Sequence, residues 1–144
     1  MGEIIRKEGL MIDREKRTWE GAIRVCGDFM VSLGSTKKEY TQAMIDAVNT
    51  FGPYIVIGPG IAFAHAATGS SVLKNDLVLA AFKEPVVFGC DNDPVHLMFG
   101  LCATEPESHL ELLGLLSEVI ESEELCRNMI DCESVDGLYK LLNN

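Results

Sequence analysis

The chain has 144 residues, 47% of them hydrophobic, and 22 acidic against 12 basic side chains give a formal net charge of -10. That length and apolar content suit one compact domain with a real core and exclude a chain disordered throughout. The acidic balance excludes nucleic acid as the main partner and argues against an anionic membrane surface, because both require a basic footprint.

The most apolar region, Tyr54 to Ala67, is interrupted by Gly58, Pro59, Gly60 and His65, so no transmembrane helix and no membrane insertion is expected. The opening MGEIIRKEGLMIDREKR has neither the apolar run nor the cleavage site of a signal peptide. The five cysteines, Cys26, Cys90, Cys102, Cys126 and Cys132, are odd in number and include no C-x-x-C pair. They read as reduced, mostly buried thiols of a cytoplasmic protein, not as disulfides or a structural zinc site.

In chain order, the first predicted helix runs from about Thr18 to Leu33. Trp19, Ala22, Ile23, Cys26, Met30 and Leu33 recur on one face, and Gly34 is a stop. Thr36 followed three residues later by Glu39 is the signature of a capping box. A second helix then carries Tyr40, Ala43, Met44, Ala47, Val48 and Phe51 on one side and ends at Gly52-Pro53. Next come short apolar runs rich in β-branched residues, Tyr54–Ile57, Ile61–Ala64, Val72–Phe82, Pro85–Phe88 and Val95–Ala103. They are separated by Gly, Pro, Asn and Asp and read as strands, with Asn75-Asp76 and Lys83-Glu84 as turns or bulges. Thr104 with Glu107 is a second candidate capping box, with Pro106 in the first turn of a helix whose stripe is Leu112, Leu113, Leu116, Val119 and Ile120. Ser122 is placed to cap a further helix through Met129, and a last short helix spans Ser134 to Leu142. Helices, then strands, then helices predict a single α/β domain over residues 1–144, its mixed central sheet flanked by helices on both faces.

The chemistry-bearing candidates are the three histidines. His65 sits in GPGIAFAHAATGSS, where backbone N–H groups and the hydroxyls of Thr68, Ser70 and Ser71 can cradle an oxyanion beside an imidazole, with Gly60 and Thr68 among the expected contacts. A lone histidine on an apolar segment is more commonly a satisfied core residue, so this segment alone does not decide. His109 falls in the first turns of the helix after Thr104, where unpaired N–H groups and the positive end of the helix dipole attract phosphate and favour neutral imidazole. From position alone, an exposed polar residue filling a turn is the more common explanation. His96 opens the strand VHLMFGLCA and reads as structural. There is no G-x-x-x-x-G-K-[ST], no dinucleotide fingerprint and no G-x-S-x-G elbow. A metal site built from His65, His109 and an aspartate has no diagnostic spacing, so neither metal nor cofactor is expected.

Beyond single residues, GPYIVIGPGIAFAHAATGSSV resembles the active-site segment of phosphotransferase-system enzyme IIA domains of the mannitol/fructose type, with wording most similar to the ascorbate-type branch. FKEPVVFG, NDPVHLMFGLCAT, SHLELLGLLSEVI, TWEGAIRVCG and EYTQAMIDAV extend the resemblance over nearly the whole chain. It implies the mannitol-type enzyme IIA fold and a cytoplasmic phosphotransferase without cofactor. In that family one histidine takes a phosphoryl group from the histidine-containing phosphocarrier protein and passes it to a IIB component, on a cysteine in this branch. The resemblance places His65 on the acceptor and His109 on a second histidine that assists the phosphoryl group. Two departures stand out. Ala64 occupies a position commonly held by proline, and the helix YTQAMIDAVNTF lacks the arginine of mannitol-type members. Ile61, Phe63 and Phe82 are expected to form an apolar docking face around His65. A regulatory module that senses phosphorylation is the rival reading, and helix faces rich in Met and Leu permit a homodimer.

Overall fold

The computed structural model describes residues 3–143, so residues 1, 2 and 144 of the expected domain lie outside the described residues. Five strands form one mixed sheet: β1 Leu10–Asp13, β2 Val56–Gly58, β3 Ile61–Ala64, β4 Asp76–Val86 and β5 Val95–Cys102, in the order β1-β4-β5-β3-β2. The pairs β1–β4 and β3–β5 are parallel, while β4–β5 and β2–β3 are antiparallel. Five helices complete the domain: α1 Trp19–Ser32, α2 Lys38–Phe51, α3 Pro106–Glu121, α4 Glu123–Asp131 and α5 Val135–Leu142. None of the described helices is long and apolar enough to cross a membrane.

Both faces of the sheet are buried, and the strand period of two sorts the side chains between them. Ala62 and Ala64 of β3, Val78, Ala80 and Phe82 of β4, and Met98 and Cys102 of β5 face the core closed by α1 and α2. Ile61, Phe63, Leu77, Leu79, Ala81, Leu97, Phe99 and Leu101 face the second core, closed by α3, α4 and α5. Gly100 marks the closest approach of α1 to the sheet: a Cβ there would sit 2.7 Å from Cys26 Sγ and 2.8 Å from Val78 Cγ2. This is the expected α/β sandwich.

Several local expectations are corrected. The boundary predicted between Val72–Phe82 and Pro85–Phe88 does not exist; β4 runs on through Lys83 and Glu84, with the register against β5 shifting between Ala81 and Val86. Neither capping box forms. Thr36 is buried in an isolated bridge to Val72, and α2 starts after Lys37 without a side-chain cap. Thr104 gives its N–H and hydroxyl to Asn75 Oδ1, and Glu105 takes the N-cap position of α3. By contrast, Ser122 caps α4 as predicted, accepting the N–H of Leu125, and Thr18 and Ser134, named from sequence only as helix bounds, cap α1 and α5 in the same way.

A buried ion pair ties the N-terminal segment to the start of β4. Asp76 is hydrogen-bonded by the Arg6 guanidinium, the Ser35 hydroxyl and its neighbour's N–H from Leu77.

Candidate functional site

Because β3 and β5 are parallel neighbours, their carboxyl ends finish on the same edge of the sheet. Ligand sites in α/β proteins gather at such ends. His65 is the first residue past β3, and β5 leads within a few residues into α3, which carries His109 in its first turns. The two imidazole centroids lie 5.5 Å apart with their planes at 55°. Residues far apart in sequence thus share one site because two strands run in the same direction.

His65 is half-buried and anchored. Its Nδ1 lies 2.9 Å from the carbonyl oxygen of Phe63. A carbonyl only accepts, so Nδ1 carries the proton and donates. In the neutral ring the lone pair is then on Nε2, the nucleophilic atom. Tyr54 packs edge-on to the ring at 5.6 Å and 82°, restraining its rotation.

Both histidines open onto a cleft of about 890 Å³. One wall is the flank of α2 that its core stripe leaves free, Ala43, Asp46, Ala47, Thr50 and Phe51. Tyr54 and the segment Ala66–Thr68 form the floor, and Pro106, His109 and Leu110 of α3 form the far wall. At the start of α3, Pro106 has no N–H and the His109 amide is bonded to the Glu105 carbonyl, which leaves the uncapped amides of Glu107 and Ser108 beside the far wall of the cleft. No lysine or arginine stands among the lining residues; Asp46 is their only carboxylate. The His109 pKa is lowered from its ordinary value, first by burial and then by the neighbouring His65, which keeps it neutral with one N–H to donate. Among the described residues no group of three or more His, Cys, Asp or Glu side chains is arranged to hold a metal ion.

The structure therefore brings His65, His109 and Thr68 to one cleft and leaves other candidates elsewhere. Gly60 is at the opposite end of β3, buried in a turn at φ +79°, its N–H spent on Asn92 and its carbonyl on His96 and Leu97. It is a backbone corner and not a contact of the site. Ser70 is exposed and lies outside the cleft lining. The proposed docking face of Ile61, Phe63 and Phe82 is overturned too, since all three are buried beneath the helices. The apolar rim of the cleft is made instead by Phe51, 74% exposed, Leu110, 68% exposed, and Tyr54, 42% exposed. The sequence pattern puts Ala43, Ala47 and Phe51 on the core stripe of α2; the buried stripe is instead Tyr40, Thr41, Met44, Ile45 and Val48, and those three line the cleft. His96 donates from Nδ1 to the carbonyl of Phe82 and braces β5 against β4, a structural role.

Comparison with known proteins places this geometry in context. Residues 3–144 match the family described as "Phosphoenolpyruvate-dependent sugar phosphotransferase system, EIIA 2". The ascorbate-specific PTS system EIIA component of Escherichia coli strain K12 is 29% identical over 143 residues, covering 97% of this chain and 92% of that protein. Its counterpart from Salmonella choleraesuis is 32% identical over the same shares. Among solved structures, the mannitol IIA of Escherichia coli superposes with a TM-score of 0.83 at 30% identity, covering 96% of this chain and 98% of that one. The IIA of the complex with phosphorylated IIB of the mannitol system, from the same organism, has a TM-score of 0.83 at 29% identity, covering 96% of each chain.

Proposed function

The chain belongs to the phosphoenolpyruvate-dependent sugar phosphotransferase system EIIA 2 family, and on that premise we propose that His65 is the residue that carries the phosphoryl group. EIIA components are phosphotransferases that pass phosphoryl groups to a IIB component. The observation that carries the assignment is the Nδ1–H of His65 bonded to the Phe63 carbonyl, which presents Nε2 as the free nucleophile in the cleft it shares with His109.

The donor in this reading is the histidine-containing phosphocarrier protein. Nε2 of neutral His65 attacks, in line, the phosphorus of the donor's phosphohistidine, whose other ring nitrogen is protonated; the new N–P bond forms as the donor's N–P bond breaks, the donor leaves as neutral imidazole, and the phosphorylated His65 ring takes the positive charge. His65 keeps its Nδ1 proton throughout. As charge spreads over three equatorial oxygens, the N–H of His109 and the Thr68 hydroxyl, both on the cleft lining, are the dipoles placed to meet it. A cysteine thiolate of the IIB component then attacks phosphorus, and His65 returns to its starting state. One P–N bond replaces another in the first step, so it runs reversibly without nucleotide or metal. Likeness to the ascorbate-specific components supports an ascorbate-type sugar acid as the cargo of the system and the cytoplasm as the place of the reaction.

The test is incubation with phosphoenolpyruvate, enzyme I and the phosphocarrier protein, followed by assay for acid-labile phosphate. The wild type takes up label and His65→Ala does not. An unlabelled wild type overturns the carrier assignment, and equal label on His65→Ala moves the site elsewhere. Adding the IIB component drains the label; retention of label in its presence favours a regulatory module.

A further inference from the structure

We propose that Tyr40 is a positioning residue of the transfer site, its hydroxyl locking the segment that bears His65 to the strand end from which His109 is launched. The inference rests on His65 as acceptor and concerns how that residue is held. Tyr40 lies on the core stripe of α2, 1% exposed, yet its hydroxyl is fully engaged. The oxygen accepts the N–H of Ala66, the residue after His65, at 2.9 Å. The hydroxyl proton goes to the carbonyl of Leu101 on β5 at 2.6 Å, nearer than the Ala66 carbonyl at 3.3 Å.

The location gives these bonds their meaning. The ladder between β3 and β5 ends at the pair Ala64 and Gly100. Beyond that pair the two backbones part, one toward Ala66 and the cleft floor, the other through Leu101 toward α3. The phenol oxygen is inserted where the ladder stops and replaces a backbone bond that no longer spans the gap. It thereby fixes both the orientation of His65 and its separation from His109. Burial pushes the phenol pKa well above its ordinary value, so the hydroxyl remains a donor across all working pH. Ala64 sharpens the need: the position before His65 lacks the ring of a proline, so the segment is held from the following residue instead.

Tyr40→Phe in the full chain keeps the ring and removes the clasp. The expected result has two parts. In the unphosphorylated protein, imidazole ¹⁵N shifts of His65 move from the Nδ1–H form toward a mixture of tautomers. In the relay, transfer to the IIB component slows about ten-fold while KM for the phosphocarrier protein stays within about two-fold, as expected for misplaced reacting atoms. Ile45→Val, a buried change on the same helix without a polar contact, controls for loosened packing and leaves both readouts in place. An Ala66 amide-to-ester replacement deletes the same bond from the other side and reproduces the tautomer shift even where Tyr40→Phe folds poorly. Unchanged imidazole shifts in the ester protein, or equal slowing in Ile45→Val, overturns the proposal. Labelling of the wild type tests His65 as acceptor separately, and the ¹⁵N shifts need no phosphate, so the two readings fail independently.

Discussion

The imidazole of His65 folds back onto the carbonyl of Phe63, two residues earlier, with 2.9 Å between Nδ1 and the oxygen. One backbone hydrogen bond thus sets tautomer, ring orientation and reactive atom together. The phosphoryl group is therefore expected on Nε2. In the ¹⁵N-labelled phosphoprotein, ³¹P–¹⁵N coupling should appear at Nε2 with Nδ1 still protonated; coupling at Nδ1 would contradict this arrangement.

His109 should set the rate of phosphoryl transfer and not whether His65 can be labelled. His109→Ala is expected to leave His65 open to labelling but to slow transfer to the IIB component by about a hundred- to a thousand-fold, the range for loss of one donor to developing charge. Rapid-quench kinetics would show it, and a normal rate would remove His109 from the mechanism.

The same residue shapes the pH dependence of stability. Its folded pKa lies below the ordinary 6.5, so between the two values the unfolded chain binds the proton and the folded one does not. Stability should fall as pH drops through about 6.5 and level off below the folded pKa. His109→Gln should flatten that slope in denaturant midpoints measured from pH 7.5 to 5; an unaltered slope would refute the assignment.

Docking should depend on the exposed rim and not on the buried strand residues. Phe51→Ser and Leu110→Ser remove apolar side chains that are 74% and 68% exposed, so thermal stability should change little. KM for the phosphoryl donor should rise several-fold in each, as for anchors of a small transient interface. A KM unchanged in the double variant would place the interface elsewhere.

The ion pair between Arg6 and Asp76 gives a prediction about the fold. Burial alone would raise the Asp76 carboxyl pKa, but hydrogen bonds from Arg6 and Ser35, with the Arg6 charge and the Leu77 amide, outweigh it and hold the value below the usual range. Its contribution is thus present above the unfolded pKa and is lost as pH falls through the folded one. Arg6→Ala strands a buried carboxylate and should cost about 2 kcal/mol at pH 7, toward the low side for a buried pair because the arginine end is part-exposed. The deficit should shrink in acid as the orphaned carboxyl protonates, and urea melts at pH 7 and pH 4 would decide.

Much of this was legible in the sequence, for identifiable reasons. The helices announced themselves through long apolar stripes, and α4 through the Ser122 cap, which forms. Thr36 and Thr104 carried the same local signal and failed it, because tertiary partners, the Val72 bridge and Asn75, took up those residues. β1 escaped notice because four residues, LMID, between charged segments show no alternation; pairing with β4 makes them a strand. Gly60 was misplaced by treating nearness in sequence as nearness in space. Five residues of extended chain span roughly 16 Å, enough to carry it to the far end of β3. His65 stood out as the candidate acceptor only through family likeness, while the Tyr40 clasp joins groups 26 and 61 positions distant and leaves no mark on any local pattern.

The cleft wall has a consequence for energy flow. It offers dipoles but neither lysine nor arginine, and Asp46 adds a negative charge. In the proposed reading a dianion on His65 meets no lysine or arginine of the cleft lining, only dipoles and the positive charge of its own Nδ1-protonated ring, so loading should dissipate little of the free energy held in the P–N bond. On that proposal the loaded protein should discharge as readily as it fills, and the direction of traffic should follow which partner is loaded and which is empty.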